Sequence, residues 1–162
     1  MTSSVTRRRW LVHVSAVAAS AASAALWSRS AGAQAKIAIT VYKGPNCGCC
    51  EAWVKHMNAN GFSAAVTNKS PNDMSAIKKS RNVTDALASC HTAIVNGYVI
   101  EGHVPASDVK RLLTEKPKTI AGLTIPGMPQ SAPGMDVKPF QPYTVLSFDT
   151  KGTTTVWAQH KS

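Results

Sequence analysis

Apolar and polar positions change period several times along this 162-residue chain, and each change marks an element. In "KIAITVYKG", Ile37, Ile39 and Val41 alternate with less apolar neighbours, the period of a strand with one buried face. Gly44-Pro45-Asn46 closes that run. From Cys47 to about Asn60 the spacing becomes helical, with Cys50, Trp53, Val54 and Met57 at i, i+3, i+4 and i+7. Asn60-Gly61 supplies a C-cap. "FSAAV" predicts a short second strand. Ser70-Pro71-Asn72-Asp73 opens a short helix through Lys79, with a capping serine and proline at the first helical position. "TAIVNGYVIEG" predicts two strands around an Asn96-Gly97 turn. "PASDVKRLLTEKP" predicts a helix that starts near Ser107 and stops before Pro117.

A Pro/Gly-rich segment, 117–142, reads as turns. "YTVLSFD" and "TTTVWAQ" follow as alternating strands, a terminal hairpin over 143–159 turning at Thr150-Lys151-Gly152. The order β-α-β-α-β-β-α, with cysteines where the first strand meets the first helix, predicts an α/β, thioredoxin-like single domain with an added C-terminal β-hairpin.

The chain ahead of this pattern reads differently. Residues 1–33 contain no acidic residue and run from an arginine cluster through an alanine-rich apolar stretch to Ala31-Gly32-Ala33. These are the parts of an export signal cleaved after Ala33, and Arg7-Arg8 followed by Arg9-Trp10-Leu11 resembles a twin-arginine signal. The alternatives are a general-secretion signal and an uncleaved anchor. Residues 34–162 then form the domain, and nothing after residue 35 has the length or purity of a membrane span. The net charge of +10 loses the four arginines of the signal and becomes about +6, spread along the chain. No basic block interleaved with aromatics points to nucleic acid. Export implies a periplasmic protein in an oxidising compartment.

There, four cysteines ordinarily suggest two disulfides. The spacing resists this, because Cys47, Cys49 and Cys50 crowd into four positions and only Cys90 lies apart. Bridging the neighbours Cys49 and Cys50 strains the peptide between them. Thiolates at a helix N-terminus are stabilised by unpaired N–H groups and the helix dipole, which suits both a redox nucleophile and a metal ligand. Cys47 and Cys50 alone have the C-x-x-C spacing of a redox pair. A third thiol between them competes for the mixed disulfide, whereas a soft-metal site gains from each extra sulfur. Cys50 shares a face with Trp53 and Met57 and should be the most buried, Cys47 the most exposed. In a thioredoxin-like fold, the loop before "TAIV" faces the C-x-x-C motif. Cys90 is then brought to the cluster from about forty residues away, and His91 stands where such folds carry a proline.

"VYKGPNCGCCEAWVKHM", "SCHTAIVNGYVIEGHVPASDVKRLL" and "GLTIPGMPQSAPGM" resemble the metal-binding family known as domain of unknown function 411, from about Val41 to Met135. The resemblance implies a periplasmic, thioredoxin-like copper-binding protein active in copper resistance or homeostasis. It also implies that copper is held by Cys47, Cys49, Cys50 and Cys90, all present here.

Thiolates suit Cu(I), zinc and iron–sulfur clusters. A lone tetrahedral zinc usually draws on two separated ligand pairs, so three sulfurs in four residues fit bridged Cu(I) ions, a small multicopper cluster, better than zinc. Among secondary candidates, His91 adjoins Cys90 in an extended stretch where neighbouring side chains point apart, so one of the two faces the metal, and Cys90 is favoured. Met128 and Met135 offer thioethers in a Pro/Gly loop, Met128 the stronger candidate. His56 lies about 10 Å along the helix from Cys49, too far to share a small site. His103 reads as a loop or cap residue and His160 as tail. The expected partners are copper ions and other periplasmic copper-handling proteins. The alternative function is a thiol–disulfide or copper-coupled oxidoreductase using Cys47 and Cys50.

Overall fold

The computed structural model describes residues 35–162, so the export signal read over 1–33 lies outside the described residues. The elements run β1 (Ile37–Lys43), α1 (Gly48–Ala59), β2 (Phe62–Asn68), α2 (Pro71–Ser80), β3 (His91–Val95), β4 (Tyr98–Glu101), α3 (Ala106–Glu115), β5 (Gly122–Thr124), β6 (Tyr143–Phe148) and β7 (Thr154–His160). All seven strands join one mixed sheet in the order β2-β1-β3-β4-β5-β6-β7. The β1–β2 and β4–β5 pairs are parallel and the other four antiparallel.

Local chemistry accounts for most boundaries. At α2 the Ser70 hydroxyl accepts the Asp73 N–H at 3.2 Å, and Pro71 occupies the first turn, where its missing N–H costs nothing. The β3–β4 turn places Asn96 at φ 46° and Gly97 at φ 86°, the left-handed pair of a tight hairpin. Helix α3 starts at Ala106 after Pro105 and ends where Lys116 turns left-handed at φ 46°.

Successive strand residues face opposite sides of the sheet. On one side Ile39, Val41, Ala93, Val95, Ile100, Leu123 and Val145 pack with Trp53 and Met57 of α1 and Val109 and Leu112 of α3. On the other, Val99 and Phe148 pack with Val83 and Leu87 of the segment after α2. Fully burying each large apolar side chain contributes roughly 1.5–3 kcal/mol, so the first of these clusters dominates the fold.

The segment 117–142 is not turns throughout. Gly122–Thr124 forms β5, buried between β4 and β6, and ties the C-terminal hairpin into the sheet. Three residues are too few for an alternation signal, and the strand exists because both neighbours pair with it. Gly122 is required there: a Cβ would overlap the Val99 carbonyl. The hairpin also grips α3. His160 Nε2 lies 2.8 Å from Asp108 Oδ2, and the Arg111 guanidinium stands 3.8 Å over the Trp157 ring. His160 is therefore a docking residue rather than loose tail.

Candidate metal centre

Helix α1 begins at the cysteines. Cys47 is its N-cap in extended geometry, its carbonyl accepts the Glu51 N–H at 3.2 Å, and Cys49 and Cys50 occupy the first turn. Cys50 lies in the core at 0 % exposure, as its place on the Trp53–Met57 face requires, while Cys47, Cys49 and Cys90 are partly buried. Cys47 and Cys50 are joined by a disulfide with their Cα atoms 5.3 Å apart, and Cys49 and Cys90 are free thiols. Cys49 Sγ sits 3.6 Å from Cys47 Sγ.

Cys90 ends the loop that leads into β3. The β1–β3 pairing sets Lys43 against His91, which carries the loop to the start of α1. The four cysteine sulfurs consequently lie within 4.8 Å of one another, although three come from one turn and one from a loop about forty residues away.

A second donor group overlaps the first. Cys50, Cys90, His91 and His103 also bring one ligand atom each within 4.8 Å. His103 Nε2 is 3.0 Å from Cys90 Sγ, and its Nδ1–H donates to the Pro133 carbonyl at 2.7 Å. That bond leaves the Nε2 lone pair facing the sulfur, the tautomer a ligating imidazole needs. His91 is fully buried between Trp53 and His103, with ring centroids 4.3 and 5.1 Å away. Its Nδ1 stands 3.5 Å from Cys90 Sγ, and its Nε2 is buried without a hydrogen-bond partner among the described residues. Cys90 and His91 are thus not divided between opposite sides: both belong to the donor cluster, because Cys90 lies just before the strand, where alternation does not yet hold.

His103 is the residue that sequence reasoning missed. The strand–loop–helix spacing of "EGHVPA" matches a cap, but His103 is 1 % exposed and turned inward. The neighbouring Val104 carbonyl accepts the Trp53 indole N–H at 2.9 Å, which ties this segment to α1. The cap role falls to His56, whose Nε2 accepts the Ala106 N–H at 3.1 Å at the start of α3; His56 stays outside both donor groups.

Burial favours the neutral forms of Cys90, His91 and His103. Burial first, and then the neighbouring Cys49 sulfur, push the Cys90 thiol up to about 12. Burial holds His91 well below the usual imidazole range, helped by His103 and Lys78. Burial also lowers His103, with the Pro133 carbonyl and Asp136 opposing. Neutral imidazoles and thiols buried together become good donors once a cation arrives to take the charge.

The "PGMPQSAPGM" loop covers this cluster at close range. Gly134, at φ 87°, lies against the first turn of α1, where a Cβ would stand 2.6 Å from Trp53 N and 2.8 Å from Cys49 O. Met135 follows it and is partly buried, whereas Met128 is 52 % exposed.

Two solved structures of copper resistance protein CopG, its forms 1 and 2, resemble this chain with TM-scores of 0.72 and 0.70. They are 37 % and 38 % identical to it, and each match covers 78 % of this chain and 99 % of the other. The model of the family described as protein of unknown function, DUF411, matches residues 87–135. The chain belongs to the DUF411 family. No curated protein matches it. The part matched by the DUF411 model carries Cys90, His91, His103 and the loop to Met135, while the C-G-C-C turn precedes it.

Proposed function

We propose that this protein is a periplasmic copper-binding protein that holds Cu(I), as a small multicopper thiolate cluster, for copper resistance or homeostasis. The observation that carries this reading is the convergence of Cys47, Cys49, Cys50 and Cys90 within 4.8 Å. The donor chemistry fits the cargo: one group is four cysteine sulfurs and the other two cysteine sulfurs with two imidazoles, without a carboxylate, which favours a soft ion over a hard one once the cysteines are reduced. Zinc is the lesser alternative, since three sulfurs from a single turn suit bridging better than one tetrahedron. His103 and His91 join the cysteines as nitrogen donors on this reading, and Met128 is a reserve thioether from the covering loop. The likeness to CopG supports copper as the cargo.

The same reading takes the β2-β1-β3-β4 half of the sheet, with cysteines at the β1–α1 junction, as thioredoxin-like, and β5–β7 as its extension. It takes residues 1–33 as a cleaved twin-arginine signal and expects exchange of copper with other periplasmic copper-handling proteins.

The disulfide favours one further reading, a copper-coupled oxidoreductase. Two Cu(I) ions would each give one electron to the Cys47–Cys50 bond, yielding two Cu(II) ions and two thiolates. In the reverse direction, two thiolates would return to the disulfide as two Cu(II) ions are reduced.

Titration of the fully reduced residues 34–162 with Cu(I) against a competing chelator tests the leading reading. Wild type should bind at least one Cu(I), and Cys90→Ser should weaken binding by more than the ~10–100-fold typical of outer-shell changes. Binding no stronger than that of a variant lacking all four cysteines sinks it. Mixing the oxidised protein with Cu(I) and assaying new thiols and Cu(II) tests the second.

A further inference from the structure

One buried charge pair lies beside the metal centre without contributing a donor to it. Glu101, at the end of β4, is completely buried. Its Oε1 accepts from the Lys78 ammonium, which reaches in from α2, and from the Ser89 N–H at 2.7 Å; its Oε2 accepts from the Thr92 hydroxyl at 2.7 Å. The ammonium also donates to the Ser89 carbonyl at 3.0 Å and to Thr92 Oγ1 at 3.1 Å. Four elements thus meet at one carboxylate: α2, the loop before β3, β3 and β4.

The residues gripped are the two that bracket Cys90 and His91. Ser89 precedes the pair and Thr92 follows it, so the backbone of both donors is held at each end. Neighbouring contacts tighten the same segment. The Gly102 N–H donates to the His91 carbonyl at 3.0 Å, and a Cβ at Gly102 would overlap the Ser89 side chain. Thr92 points toward Lys78, on the opposite side of β3 from the ring of His91, which packs on Trp53. The clamp therefore holds the donors from behind without occupying their space.

A buried ion pair is a costly way to gain stability, because desolvating both charges consumes most of their attraction and a well-packed apolar pair often does as well. What a satisfied carboxylate adds is direction: it fixes three donors at set angles. We propose that the Glu101–Lys78 pair is a positioning device that holds the Cys90–His91 arm in the geometry the metal centre needs. This rests on the copper reading above, and it assigns the pair a role in site geometry beyond fold stability.

A double-mutant cycle between Glu101 and Cys90, read by Cu(I) competition, tests it. Glu101→Gln should lower Cu(I) affinity by about 10–100-fold, as loss of outer-shell support does, but should have little effect in a Cys90→Ser background. An equal drop in both backgrounds, or no drop in either, overturns the proposal. Lys78→Met/Glu101→Leu, an apolar replacement that keeps the volume filled, repeats the measurement should Glu101→Gln not fold. Alkylation of Cys90 by iodoacetamide in the reduced, metal-free protein separates this proposal from the copper reading. Both clamp variants should expose Cys90 to faster labelling at a pH and temperature where they remain folded. Unchanged labelling overturns the positioning role whether or not copper binds. Faster labelling in a protein that binds no Cu(I) retains the clamp and discards the copper reading.

Discussion

His103 illustrates how a single hydrogen bond decides a side chain's chemistry. The Pro133 carbonyl takes its Nδ1–H, so Nε2 can only present a lone pair, and that lone pair meets the Cys90 sulfur at 3.0 Å. Were the Pro133 contact absent, either nitrogen could carry the proton and the tautomer would no longer be fixed in advance. His103→Ala should therefore weaken Cu(I) binding and change the copper–ligand shell, with a light-scatterer (nitrogen) contribution missing from X-ray absorption of the loaded protein. An absorption spectrum identical to wild type would remove His103 from the ligand shell. Cys90, His91 and His103 together show why residue type was a better guide than position. The thiol was legible as a candidate because cysteine is rare and soft, whereas a histidine between a strand and a helix resembles many caps until its burial is known.

At the scale of elements, α1 and α3 are coupled through His56, which is absent from the metal centre yet matters to its support. Its Nε2 can accept the Ala106 N–H only when neutral, and burial holds its pKa below the ordinary 6.5, with Asp136 opposing. The unfolded chain therefore binds a proton at His56 at a higher pH than the folded chain does. The contribution of neutral His56 is complete above about pH 6.5 and is lost as pH falls toward the lowered folded value. His91 and His103 are shifted the same way. Denaturant unfolding of the metal-free protein should show stability falling between pH 7 and pH 5. His56→Gln, which keeps an acceptor but cannot titrate, should show a shallower fall. Parallel curves for the two proteins would remove His56 from this account. The α1 helix, by contrast, was readable at once, since its apolar period and the Asn60-Gly61 stop agree with the observed Gly48–Ala59.

Across the whole molecule, β5 decides whether the terminal hairpin is an appendage or part of the sheet. It joins β4 to β6 with three residues, and Gly122 lets the backbones approach where any side chain would strike Val99. Gly122→Ala should cost about 1–3 kcal/mol through that overlap. The loss should appear as a lower unfolding midpoint together with faster amide exchange in β6 and β7 than in β1. Uniform exchange across the sheet would mean that β5 does not carry the coupling.

The division between what the chain alone determines and what folding decides follows from the range of the interactions. Periodicity, caps and turn residues act within a few positions, so α1, α2, α3, the Asn96-Gly97 hairpin and the Cys47–Cys50 turn were legible from sequence. So was the surplus of sulfur in C-G-C-C, a matter of composition. Long-range placement was legible only in part: the fold pattern brought Cys90 to the cluster, but nothing local marks His103 as buried against it. The pairing of β5, the turn of Gly134 onto α1 and the meeting of Cys90 with His103 each depend on a backbone approach between separate segments of the chain. Such approaches are set by sheet register and core packing, and only the tertiary structure makes them visible.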